Sequence, residues 1–242
     1  MTENLSAAEE KSSSAISRIV QVFASPEEAA TGIQHKPTWL VPFLIVTVIA
    51  LLLSFLAMDI RQHDTIAMFE AQDKPPEMIE KVEQQMAGPA KYIQLVAVPV
   101  ATLAIWAVLS GIILFAGSTI LGGESKYKKV FSMVAWSGLI SILGGAVQTL
   151  LILLKGTAHG VTTSLAVALP TPVLGQTPSL LYRILTQFDV FALWQMWFWV
   201  VGVSVLFRFT KQKSATMVFS IWVLWVIVSV VLGGLFSNTM GA

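Results

Sequence analysis

Residues 124–154 read ESKYKKVFSMVAWSGLISILGGAVQTLLILL. Lys126, Lys128 and Lys129 make a basic ledge, and residues 130–154 follow without a single charge. A helix of about 20 apolar residues crosses a hydrocarbon core of about 30 Å, so this run is long enough to span a membrane. Lys and Arg concentrate on the cytoplasmic side, which makes the ledge a topology marker and a contact for lipid headgroups. Ser137, Ser141 and Gly145 recur every four residues along the run. Residues that small at such spacing let a second helix approach closely, so they are candidate helix-packing positions.

Four further runs resemble this one: residues 39–58, 92–120, 190–209 and 216–236, uncharged except for Arg208. Composition agrees with a membrane class. The 242-residue chain is 55% hydrophobic and 12% charged, where soluble domains carry about 25% charged residues. The expected fold is all-α, a polytopic transmembrane helical bundle of five spans. Residues 1–15 are Ser/Glu/Ala-rich and are expected to be disordered, with the membrane domain over 16–236. The first apolar run starts too far in, and is too long, for a cleavable leader, and reads as an uncleaved signal-anchor. The sequence shows no N-terminal Met-Gly pair and no C-terminal Cys, so no common lipid anchor is expected.

Orientation follows from Lys/Arg counts. Residues 1–38, the 126–129 ledge and the corner with Arg208, Lys211 and Lys213 hold nine bases, and the opposite side holds six. The two short corners are densest, and short loops weigh most, so the N-terminus is expected in the cytoplasm and the C-terminus outside. The outer side then carries two long connectors, 59–91 and 155–189. The first holds seven acids against four bases, a net of −3. Within it, Pro75-Pro76 opens a helix that Gly88-Pro89 closes. The second is Pro/Gly-rich, with an apolar stretch at 165–174 too short to span and a short amphipathic helix over 179–188.

Before the first span, Ile16, Ile19, Val20 and Phe23 share one helical face, with Ser17, Arg18 and Gln21 opposite. Such a helix either lies in the membrane interface or packs under the bundle. Ser25-Pro26-Glu27-Glu28 reads as a helix start, with Ser25 as N-cap and Glu28 closing a capping box. Pro99 is expected to kink the second span, where Ala107 and Gly111 form another small pair. Three tryptophans at 194–199 read as interfacial anchors. In the fifth span, Ser229 and Gly233 repeat the small-residue seam.

Chemistry is sparse. The chain has no Cys, no HExxH and no Walker loop, and its net charge of +1 leaves no footprint for nucleic acid. No ionisable residue lies mid-span, where proton relays and ion-coupled carriers place them. Gln148 is the notable polar side chain there. His35, His63 and His159 all lie in connectors, and Asp59, His63 and Asp64 lack a further strong ligand, reading as a solvated loop. Asp189, just before the fourth span, is a candidate polar site and reads first as that helix's N-cap. No catalytic, cofactor or metal site is expected.

The pattern resembles the Yip1-domain family in its bacterial branch. Phe23-Ala24-Ser25-Pro26 with Pro37-Thr38-Trp39 resembles the family's approach to span one. Tyr127-Lys128-Lys129-Val130-Phe131 and Val134-Ala135-Trp136-Ser137 resemble its third span. Phe188-Asp189-Val190-Phe191 with Trp194 and Gly202 resembles its fourth, and Lys213-Ser214-Ala215 its last corner. The resemblance covers roughly residues 16–236 and implies a five-span inner-membrane protein. Eukaryotic members associate with small prenylated GTPases and with one another. That role is not transferred, because the region before span one is short and the acidic connector long. The expectation is a non-enzymatic scaffold whose partners are membrane lipid, other membrane proteins or itself. The alternative is a transporter or channel-like component, motivated by Pro99 and the Pro/Gly-rich connector. A lipid-acting enzyme using Asp189 and His159 is a third reading without supporting spacing.

Overall fold

The computed structural model describes residues 15–239, so the expected disordered tail lies outside the described residues save Ala15. The fold is all-helical. Helices α1 (Ala15–Ala24) and α2 (Pro26–His35) precede α3 (Leu40–Leu56) and α4 (Met58–Ala71). Then follow α5 (Pro76–Ala87), α6 (Ile93–Phe115), α7 (Tyr127–Lys155), α8 (Leu180–Leu185), α9 (Val190–Phe207) and α10 (Lys211–Thr239).

Among the described residues, four helices are long and apolar enough to cross a membrane, or five if the bent pair α3–α4 counts as one span. Alone, α3 has 17 residues, about 26 Å at 1.5 Å per residue, short of a full hydrocarbon core. The bend between α3 and α4 is 57°, and Ala57 and Met58 are buried at it. Here the structure corrects the sequence reading, because residues 59–71 are not a solvated loop. No Gly or Pro interrupts the chain between Pro42 and Pro75, so the helix resumes past Ala57 although its composition turns polar. Helix α5 follows Pro75 as expected.

Other boundaries shift by a few residues. Helix α7 begins at Tyr127, and α9 stops at Phe207 because Arg208 takes a left-handed φ of 57°. Past α6 the chain makes one π-helical turn, Ala116–Ile120. The 165–174 stretch holds a single 3-10 turn, Leu165–Ala168.

The chain divides into two compact units. The first takes the described residues up to Val46, Leu103–Ile140 and Trp194–Phe219. The second takes Thr47–Thr102, Ser141–Leu193 and the described residues from Ser220. Of the largest fully buried side chains, all but Ile152 belong to the first unit, among them Trp136, Phe198, Met133 and Ile33. Glycines admit these bulky neighbours. A Cβ on Gly138 would come within 2.6 Å of Trp106, and one on Gly202 would collide with the sulfur of Met133. Outward residues of the spans are apolar, as on α6 with Val96, Val100, Ile105 and Val108. That is the surface lipid requires.

Candidate functional site

The first unit holds a buried arginine. Arg18 is 4% exposed, whereas Ile16 and Val20 on the same helix are 74% and 58% exposed. The expected faces of α1 are therefore partly reversed, with Arg18 and Val22 turned inward. The reason is local. Arg18 Nη1 donates to the Thr38 hydroxyl at 2.8 Å and to Lys36 O at 3.2 Å, and Nη2 donates to Gly32 O at 3.3 Å. Its guanidinium carbon lies 5.3 Å from the centre of the Trp136 ring, within cation–π range. Trp136 Nε1 in turn donates to Thr38 O at 2.7 Å. Burial pulls the Arg18 pKa down, yet a guanidinium stays charged at neutral pH. Arg18 thus ties α1 to the end of α2 and to α7. Beside it, Trp39, Phe43, Trp106 and Phe131 close a circuit of edge-to-face and tilted rings.

Ser137 is fully buried in the same unit. It donates to Val134 O and accepts from Gln195 Nε2 at 3.0 Å and Trp199 Nε1 at 2.7 Å. Gln195 and Trp199 are one turn apart on α9, so their side chains meet one hydroxyl. Two of the three expected interfacial tryptophans thus serve the interior. Trp199 binds Ser137 and Trp194 stacks edge-on against Phe23 at 5.6 Å, while Trp197 faces outward. Ser141 is exposed, and a Cβ on Gly145 would come no closer than 3.9 Å to Leu53, both in the second unit. Ser229 donates to Val226 O within α10. Gly233 falls in residues 232–239, whose side-chain surroundings lie outside the described residues.

Both basic corners fall in the first unit. Lys126 and Lys128 are exposed and Lys129 is half-buried. Lys211 pairs with Glu27. Lys213 donates to Leu121 O at 2.9 Å and sits 4.1 Å from the centre of the Phe209 ring. Arg208 is exposed. The capping box predicted at Ser25 does not form, since the Ser25 side chain makes no cap bond. Its partners are drawn elsewhere: Gln21 Nε2 donates to Glu28 at 3.2 Å, and Glu27 reaches Lys211.

The second unit contains two carboxylate clasps. Asp189 Oδ1 accepts from the Phe191 and Ala192 amides at 2.9 and 3.0 Å, the N-cap expected for α9, and Oδ2 accepts from Thr163. Asp64, on α4, accepts from the Thr157 hydroxyl at 2.9 Å and the Ala158 amide at 2.5 Å. That carboxylate gathers the turn after α7, where His159 Nε2 meets Pro172 O at 2.9 Å. Sequence reasoning left Asp64 in solvent. Its signal, an acid on the helix continuing from span one, becomes readable only once α4 is seen to be helical. Both carboxylates hold backbone, and neither is within hydrogen-bond reach of a histidine. Among the described residues, no group of three His, Asp or Glu could hold a metal.

The family model described as the Yip1 domain matches residues 20–233. No curated protein and no solved structure matches the chain.

Proposed function

The chain belongs to the Yip1-domain family, and on that premise we propose that this multi-pass membrane protein is a non-enzymatic scaffold. It works in a bacterial cytoplasmic membrane, N-terminus inside and C-terminus outside, by pairing an apolar helix with a second copy of itself. The observation that carries this reading is Gly111. Gly117, Gly138, Gly144 and Gly202 each admit a large side chain of the same chain, whereas a Cβ on Gly111 would meet nothing within 4 Å. Ala104, Val108 and Phe115 stand exposed at spacings that put them on Gly111's side of α6. An open small-residue seat on a lipid-facing helix is what close helix association uses. Ser137 is already bonded to α9, and the pairing surface proposed here is on span two. Lys126, Lys128 and Arg208 remain for anionic headgroups at the cytoplasmic surface.

The chain has no Cys, so single cysteines report without background. Ala104→Cys and Val108→Cys in native membranes should crosslink into dimers, and adding Gly111→Leu should abolish the dimer without unfolding the monomer. Monomer at every position on α6 would sink the reading.

A further inference from the structure

The 57° bend between α3 and α4 opens a wedge in the second unit. A cavity of about 440 Å³ lies there, between α4, the end of α5 and the start of α6. That volume is in the range of small-molecule pockets, about 300–1,000 Å³. Its lining separates by chemistry. Arg61 and Gln62 project from α4, while Met58, Met86, Leu95 and Val98 supply apolar wall.

Two of its polar groups lack partners among the described residues. Gln62 Nε2 is buried and makes no hydrogen bond. No ion pair holds the exposed Arg61 guanidinium among the described residues. A buried amide donor without an acceptor is destabilising, and here it stands beside an unneutralised cation. Turning the Gln62 amide toward the cavity, which breaks no hydrogen bond of its Nε2, sets that donor beside Arg61 as a receptor for an oxyanion. The depth is also informative. Residues 39–58 carry no charge, and Asp59 and Arg61 follow within one turn, so the cavity sits where the apolar span gives way to polar chain. That is the level of lipid phosphates.

We propose that this wedge binds one phospholipid per chain, its phosphate on Arg61 and Gln62 and its upper acyl chain along Met58, Met86, Leu95 and Val98. The headgroup is zwitterionic. Residues 59–91 carry a net charge of −3, which repels a headgroup of net negative charge and favours an ammonium beside the bound phosphate. Met58 and Met86 suit an acyl chain because an unbranched thioether side chain adapts to irregular apolar shapes. The site shares no residue with the Gly111 face, and neither reading requires the other.

The test uses the full chain in nanodiscs of equimolar phosphatidylethanolamine and phosphatidylglycerol, with retained lipid read by native mass spectrometry. One retained phosphatidylethanolamine per chain is expected. Arg61→Met should weaken retention roughly tenfold or more, the worth of a hydrogen bond to a charged group. Leu95→Trp, which fills the apolar end and leaves Arg61 intact, should do the same. Equal retention of the two lipids, retention untouched by both variants, or displacement by millimolar inorganic phosphate would each overturn the proposal. Should the variants misfold, the wild-type chain is photolysed with a phosphatidylethanolamine bearing a diazirine in its upper acyl chain. Adducts concentrated at Met58, Met86 and Leu95 support the site, and adducts spread evenly over the outward faces of α6 and α10 overturn it.

Discussion

Replacing Ser137 with alanine tests whether the third span is held from inside or reserved for a partner. The hydroxyl is fully buried and accepts from Gln195 at 3.0 Å and Trp199 at 2.7 Å. Alanine takes the acceptor from the Trp199 indole and one bond from Gln195. Side-chain hydrogen bonds between membrane helices average about 0.6 kcal/mol and reach about 1.7, while a buried donor without an acceptor costs about 1–3 kcal/mol. The expected loss is therefore about 1–3 kcal/mol, roughly a 5- to 150-fold shift in the folding equilibrium. The assay is reversible unfolding in mixed detergent micelles, followed by helical circular dichroism. Trp199→Phe removes the donor, so Ser137→Ala on that background should cost less than on the wild type, with a coupling of about 0.5–1.5 kcal/mol. If Ser137→Ala unfolds within about 0.3 kcal/mol of wild type but weakens association, the serine faces a partner and the internal assignment is wrong.

Substitutions at three other sites separate the remaining contacts, and one at a fourth serves as their control. Arg18→Ala removes a donor from Lys36 O, the Thr38 hydroxyl and Gly32 O, the last of which keeps the Lys36 amide, and should cost roughly 2–4 kcal/mol; limited proteolysis should then cut within Ala15–Ala24, and an uncut helix would count against the Arg18 tie. Gly202→Ala drives a methyl into the sulfur of the fully buried Met133, expected to cost about 1–3 kcal/mol in the same unfolding assay. The control is Gly111→Ala, which meets nothing and should leave the monomer's melting point unchanged or raise it slightly. Asp189→Ala should cost about 0.5–2 kcal/mol and speed hydrogen exchange at Phe191 and Ala192, with Asp189→Asn retaining most of the cap.

The spans could be read from sequence because lipid tolerates no unpaired charge, and a charge-free run of the right length has few other uses. Asp189 was legible for a similar reason, since an acid immediately before an apolar helix has free amides to cap. The bend at Ala57 was not. Polar composition after Met58 suggests a loop, and only the missing Gly or Pro hints that the helix continues. Helix α1 misled because periodicity sorts residues by polarity alone, and cannot see that Lys36, Gly32 and Thr38 bring oxygens and Trp136 a ring to Arg18. The capping box at Ser25 had the right residues, but Gln21 and Lys211 compete for its glutamates. The wedge beside Arg61 was invisible because it exists only through the angle between α3 and α4.

The Arg18 knot also has an order in time. Trp136 reaches Thr38 across 98 residues of chain, and at about 5–20 residues per second a ribosome needs roughly 5–20 s to cover that distance. Throughout that interval α1 has been made but half of its anchor has not. Gly32, Lys36 and Thr38 can receive Arg18 early, but the Trp136 ring beside its guanidinium comes only later. The packing of α1 is therefore completed late in synthesis, since Trp136 lies on the third span and Trp194, which meets Phe23, on the fourth. A chain truncated before Trp136 lacks both the ring against which Arg18 packs and the indole that donates to Thr38 O.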